Sequence, residues 1–195
     1  QTNGDFFQSY NASFTEPWLG GKKPNALTVA GFYNRFAFGT RGTPSRQQFN
    51  IIQGSVSLGT RLKWPDDNFV SNTALNIQTL RLDNWQRGLF RTDDGGLVTD
   101  GNYNNFSIRQ TIARSTIADP IFPRNGSRIS LSVQFTLPYS KLFFRDRDYS
   151  DLDPQDKFRW LEYHKWRFDA EWYAPIAGKL TLRAAAKIGI LSFYN

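Results

Sequence analysis

Apolar and polar residues alternate with a period of two along most of the chain. From Trp166 the even positions read Trp166, Phe168, Ala170, Trp172, Ala174 and Ile176, and the odd positions between them read Arg167, Asp169, Glu171 and Tyr173. Leu180, Leu182, Ala184, Ala186, Ile188 and Ile190 alternate with Thr181, Arg183, Ala185, Lys187 and Gly189. Ile129 to Leu137 and Ile52 to Leu62 behave the same way. Each run predicts a β-strand with one apolar and one polar face.

Four further segments are strand-like but less regular: Phe6 to Thr15, Leu27 to Phe36, Thr73 to Leu82 and Phe106 to Ile117. The total is about eight strands of roughly ten residues, the length a tilted strand needs to cross a bilayer. Soluble strands average about five or six.

The connections between strands alternate short and long. Glu16 to Asn25, Pro65 to Asn68, Asp119 to Gly126 and Ala177-Gly178 form one set. Ala37 to Gln48, Asp83 to Asn104 and Tyr139 to Tyr163 form the longer set. Outer-membrane barrels show this asymmetry, with short turns periplasmic and long loops extracellular. Pro17, Pro24, Pro65, Pro120, Pro123 and Pro175, six of the nine prolines, fall on the short side. Proline cannot donate to a ladder and suits strand ends. Trp18, Trp64, Phe122, Trp172 and Tyr173 sit beside the same turns, as an interfacial aromatic belt would. Within the longest loop, Asp153 and Pro154 predict the start of a short helix, with Phe158, Trp160 and Leu161 facing the barrel rim.

Composition strengthens this picture. The 195 residues are 16% aromatic, yet mean hydropathy is −0.52. An apolar outer band with aromatic girdles around a polar lumen combines the two. No run approaches the ~18 apolar residues of a membrane-spanning helix. There is no Cys, which removes disulfides, zinc–thiolate sites and thiol catalysis. Gln1 to Phe6 is not a signal peptide, so the chain reads as mature or as part of something longer. The net charge of +7 is scattered and interleaved with acids, as in Arg145-Asp146-Arg147-Asp148. Nucleic-acid binding is therefore not expected. Arg61, Lys63, Arg167, Asp169, Glu171, Arg183 and Lys187 share polar strand faces. A dry soluble core would bury these charges at high cost, whereas a wet lumen would not.

No catalytic constellation can be assembled. His164 is the single histidine, and no Gly-Xaa-Ser-Xaa-Gly elbow supports a triad built on it. Asp66-Asp67 and Asp93-Asp94 read as turn solvation, and the latter is too sparse for a calcium loop. Asn11, Asn105 and Asn125 match the glycosylation pattern but lie in or beside predicted strands. No catalytic, cofactor-binding or metal residue is assigned, and no enzyme activity is expected.

Three stretches carry a family resemblance. Phe14-Thr-Glu-Pro-Trp-Leu19, Asp119-Pro-Ile-Phe-Pro-Arg-Asn-Gly-Ser-Arg-Ile-Ser-Leu131 and Trp160-Leu-Glu-Tyr-His-Lys-Trp-Arg-Phe-Asp-Ala-Glu-Trp-Tyr-Ala-Pro-Ile176 resemble, in order and spacing, the barrel of the BamA family of outer-membrane protein assembly factors. That family joins periplasmic POTRA repeats to a sixteen-stranded barrel. The resemblance implies an all-β, up-and-down transmembrane β-barrel domain over residues 1–195. About eight of a probable sixteen strands, the third to the tenth, would be present. It implies a non-enzymatic insertase that folds β-barrel proteins into the outer membrane, and partners that are outer-membrane lipid, nascent β-barrel proteins and accessory lipoproteins. Asp119, Phe122, Pro123 and Gly126 would then build a structural periplasmic turn. The POTRA repeats, the seam-forming first and last strands and an Arg-containing lumenal motif would lie outside this chain. Family members that translocate proteins share the same barrel. Two other readings stay open: a self-contained eight-strand barrel (a pore, anchor or lipid-modifying enzyme) and a soluble carbohydrate-binding sandwich. The self-contained barrel requires its first and eighth strands to pair.

Overall fold

In a computed structural model, residues 2–21, 25–88, 90–91, 95–142, 152–157 and 159–194 are described. The strands are β1 (Thr2–Asn3), β2 (Phe7–Glu16), β3 (Asn25–Phe38), β4 (Gln47–Arg61), β5 (Phe69–Asp83), β6 (Phe90–Arg91), β7 (Leu97–Val98), β8 (Gly101–Ser115), β9 (Gly126–Thr136), β10 (Tyr163–Ala177) and β11 (Leu180–Phe193). A 3-10 turn (Leu19–Gly21) and two one-turn helices, α1 (Tyr139–Leu142) and α2 (Pro154–Lys157), lie in the connections. No described helix is long and apolar enough to cross a membrane.

All eight predicted strands are present and form one antiparallel meander in the order β1-β2-β3-β4-β5-β8-β9-β10-β11. The β6–β7 ribbon is a separate insertion between β5 and β8. Among the described residues no pairing joins β1 or β2 to β11, so the sheet is open.

The strands are longer than the sequence pattern predicts. β4, β5, β8 and β10 each run 15 residues. At about 3.3 Å per residue that is roughly 50 Å of strand, whereas about 9–11 residues suffice to cross a bilayer. The surplus lies at the long-loop end of β4, at both ends of β3 and mainly at the short-turn end of β5. It also shortens the first of the long loops: residues 39–46 connect β3 to β4, a gap no larger than residues 17–24 between β2 and β3. The contrast in length holds from 62–68 onward.

The turns follow from their side chains. Asp119 Oδ1 accepts hydrogen bonds from the backbone N–H groups of Ile121 and Phe122, at 2.9 and 3.1 Å. Gly126, at φ +101°, opens β9 so close to β8 that a Cβ would stand 2.7 Å from Thr116 O. Gly126→Ala is therefore expected to destabilise the barrel by about 1–3 kcal/mol. Gly54→Ala, where a Cβ meets nothing within 4 Å, serves as the control. Thermal midpoints in detergent that move equally for both variants would refute the assignment. Pro175 lies beyond the last β9–β10 rung at Tyr173↔Gly126, where one side of β10 is unpaired, as proline requires.

The helix predicted at Pro154 is present as α2, with Asp153 O accepting from the N–H groups of Asp156 and Lys157 at 2.9 Å each. Trp160 packs on Tyr139 of α1, ring centroids 4.6 Å apart. Phe158 lies outside the described residues, as do Pro24, Asp93-Asp94 and the Arg145–Asp148 run.

Candidate membrane interface

Residues paired across antiparallel strands share a face, so the register defines two surfaces. One carries a continuous apolar row: Phe14, Val29, Val56, Leu75, Ile108 and Phe135 on β2, β3, β4, β5, β8 and β9. A second row on the same face holds Ile112, Leu131, Phe168 and Ile188. Eight of these ten side chains are exposed, Phe14 to 66% and Ile188 to 58%, and Ile108 and Phe168 are half-buried. So large an exposed apolar surface marks a membrane or protein contact.

The opposite face is polar. A hydrogen-bonded chain crosses it from β4 to β10. Gln78 donates to Gln53 (3.3 Å) and Asn105 donates to Gln78 (3.4 Å). Asn105 and Gln134 both donate to the Tyr163 hydroxyl, at 3.2 and 2.8 Å. Gln134 also donates to Ser107 Oγ and accepts from Arg109, both at 2.9 Å. Toward the short turns the face becomes charged. Arg183 and Tyr173 donate to the two oxygens of Glu171, at 3.0 and 3.2 Å. Arg167 donates to Asp169 at 2.9 Å, and Asp169 sits opposite Lys187. Such a wall is stable facing water and untenable facing hydrocarbon.

Arg61, Arg167, Asp169, Glu171, Arg183 and Lys187 thus lie on one polar face, as the alternation predicts. Lys63 lies in the 62–68 turn, off the face. Trp18, Trp64, Phe122 and Trp172 are all exposed around the short turns. Tyr173 belongs to the polar face and holds Glu171, because it keeps the odd parity of Arg167 and Asp169. His164 Nδ1 accepts from the Trp166 indole N–H at 3.1 Å, and its ring packs on Tyr194. Among the described residues no three His, Cys, Asp or Glu side chains gather as a metal site.

Two features escape the period-two reading. The first is Asp66, whose Oδ2 accepts from Arg114 Nη2 at 2.7 Å and Nε at 2.8 Å, tying the 62–68 turn to β8. Oδ1 accepts from Asn68 N–H at 2.8 Å. The Arg114 guanidinium, helped by the Asn68 amide, holds this carboxyl below its ordinary 3.8. A lowered folded value stabilises above the unfolded one and is lost as pH falls through it. Asp66→Asn is expected to lower the denaturation midpoint at pH 7. The gap to the parent should close as the pH drops below about 3.8; a gap independent of pH rejects the ion pair as its cause.

The second is an inversion of the two faces at the long-loop ends of β3, β4, β5 and β8. There the polar face turns apolar, with Phe36, Phe49 and Leu82 in one row and Ile51, Leu80 and Tyr103 in the next. Residues from the 84–100 segment cover them: Trp85 and Val98 are buried with Phe49, Leu82 and Tyr103. The outward face turns polar at the same level, with Gln8, Arg35, Asn50, Arg81 and Asn102 in one row. Strand segments above a bilayer have water outside, so they bury their apolar side inward under the loop, like an ordinary soluble sheet.

An Omp85 superfamily domain matches residues 1–195. Among solved structures, the crystal structure of BamA from Haemophilus ducreyi lacking POTRA domains 1–3 is similar in fold. The identity is 15%, the TM-score is 0.66, and the match covers 97% of this chain and 34% of that one. The chain therefore spans about a third of that structure's length. No curated protein matches the chain in sequence. The family match runs the full length of a sheet with one lipid-compatible and one polar face, and the chain belongs to the Omp85 superfamily as a β-barrel segment of the outer membrane.

Proposed function

We propose that this segment is part of the barrel of an assembly factor that folds and inserts β-barrel proteins into the outer membrane without enzymatic chemistry. The observation that carries the reading is a sheet with a lipid-compatible face whose β1–β2 and β11 edges, among the described residues, do not pair with each other, in a chain matched by the superfamily along its whole length. Unpaired edges do not persist in hydrocarbon, so further strands must close the barrel. The open sheet argues against a self-contained eight-strand barrel, because its first and last strands would have to pair. The exposed apolar belt argues equally against a soluble sandwich.

In this reading the short turns lie in the periplasm and loops 84–100 and 137–162 outside. The partners are outer-membrane lipid, unfolded β-barrel proteins and accessory lipoproteins of the assembly machinery. The test is reconstitution of the full-length protein in vesicles with an unfolded outer-membrane protein, followed by the appearance of its heat-modifiable folded form. Faster folding than in empty vesicles is expected. No acceleration, with passage of an exported polypeptide through the vesicle wall instead, establishes the translocating alternative within the superfamily.

A further inference from the structure

The outward face above the apolar belt carries two arginines without carboxylate partners. Arg35 and Arg81 lie in one row, two strands apart and separated by Asn50, which is about 10 Å. Arg35 donates to Gln48 Oε1 and Arg81 to Asn102 Oδ1, each at 2.9 Å. Both partners are neutral amides, so both guanidinium charges remain uncompensated. The Nε of Arg35 is shielded from water and has no hydrogen-bond partner. Asp83 stands one rung farther from the belt, opposite Gln48. Among the described residues no ion pair joins it to either arginine.

The next row toward the belt holds Tyr10, Tyr33, Ile52 and Thr79, with Tyr10 and Tyr33 stacked at 6.3 Å. Ile77, 60% exposed, follows below. The arginines thus sit one rung above an aromatic and aliphatic surface, at the depth where lipid headgroups meet water. A guanidinium fork matches the oxygen pair of a phosphate, and the alternating amides Asn50 and Asn102 match sugar hydroxyls.

We infer that Arg35 and Arg81, with Asn50 and Asn102, form a binding site for the phosphorylated headgroup of a glycolipid in the leaflet on the long-loop side. The assignment of that leaflet as the outer one rests on the orientation proposed above.

The test uses the full-length protein in phosphatidylcholine nanodiscs doped with diphosphoryl lipid A, with retained lipid counted by native mass spectrometry after detergent extraction. The paired substitution Arg35→Ala/Arg81→Ala is expected to cut retention roughly tenfold or more, two charge-assisted contacts being lost. Arg61→Ala, on the opposite face, is expected to leave it unchanged. Parallel samples carry dephosphorylated lipid A or phosphatidylglycerol, and one adds millimolar inorganic phosphate. The proposal stands if only diphosphoryl lipid A is retained through the two arginines and inorganic phosphate does not displace it. Equal retention by the double variant overturns it, as does equal retention of either other lipid or displacement by free phosphate. No client protein is present, so failure here leaves the assembly reading untouched. Protease access to loop 84–100 from outside intact cells separately checks the orientation.

Discussion

Placing a charge at Val56 is expected to destabilise the inserted barrel by about 2–4 kcal/mol, the penalty for arginine on a lipid-facing strand position near the bilayer midplane. Val56 lies in the middle of the apolar row, between Val29 and Leu75, and is 44% exposed. Ser57→Arg, one residue on, points to the polar face beside Thr28 and Ala74 and is expected to change stability by less than about 1 kcal/mol. The same strand must give the opposite result nearer its long loop. Asn50→Arg enters the outward polar row between Arg35 and Arg81, in water, where like-charge repulsion is expected to cost less than about 1 kcal/mol. Ile51→Arg enters the row of Leu80 and Tyr103 beside the core under loop 84–100, where an unpaired charge is costly. Urea titrations of the full-length barrel refolded into vesicles measure all four. If odd and even positions keep the same sign from residue 50 to residue 57, the inversion of faces is wrong.

That inversion also explains which parts of the fold were legible in the sequence. Ile129 to Leu137, Trp166 to Ile176 and Leu180 to Ile190 keep one phase throughout, because nearly their whole length faces lipid on one side and the polar interior on the other. Leu27 to Phe36 and Thr73 to Leu82 look irregular because the solvent outside changes partway along. Val29 and Leu75 turn toward lipid, whereas Phe36 and Leu82 turn inward under a loop. A period-two count cannot register that reversal without knowing where the bilayer ends. Asp66 was hidden for a different reason. Its partner Arg114 is 48 residues away, and only the β5–β8 register brings the two together. Tyr173 was legible from parity alone, although its place beside a turn suggested the belt. The charged wall of Arg167, Asp169, Glu171, Arg183 and Lys187 needed no tertiary information, because alternation within two adjoining strands already put those residues on one face.

Removing the Trp85 ring is expected to open the cap at the long-loop end while leaving the spanning sheet in place. Trp85 is 7% exposed and packs between Phe38 and Phe49, ring centroids 5.7 and 5.3 Å away. Arg87 lies over the far ring, its Cζ 3.7 Å from the Phe38 centroid. The loop is anchored on both sides of the tryptophan. Asn84 N–H donates to Asp100 Oδ1 at 2.8 Å, Asn84 Nδ2 reaches Pro44 O at 3.1 Å, and Trp85 N–H donates to Thr99 O at 2.8 Å. These bonds persist in Trp85→Ala, so the loss is the buried ring, about 3–5 kcal/mol. At 1.4 kcal/mol per factor of ten, the opening equilibrium of loop 84–100 should rise by roughly two to three and a half orders of magnitude. Limited proteolysis of the folded protein reads that change as faster cleavage within the loop, and heat-modifiability on gels should be unaltered because the belt residues are untouched. Trp85→Phe separates packing from polarity. It keeps most of the ring and removes an indole N–H that is buried without a hydrogen-bond partner, so its cost should be less than about 1.5 kcal/mol. Equal cleavage rates for the parent and Trp85→Ala would mean that the loop is held by its backbone anchors alone. Loss of the heat-modifiable form would mean that the cap and the spanning sheet unfold together, contrary to a core that rests on the long-loop ends of β3, β4, β5 and β8 and on no residue of the lipid-facing rows.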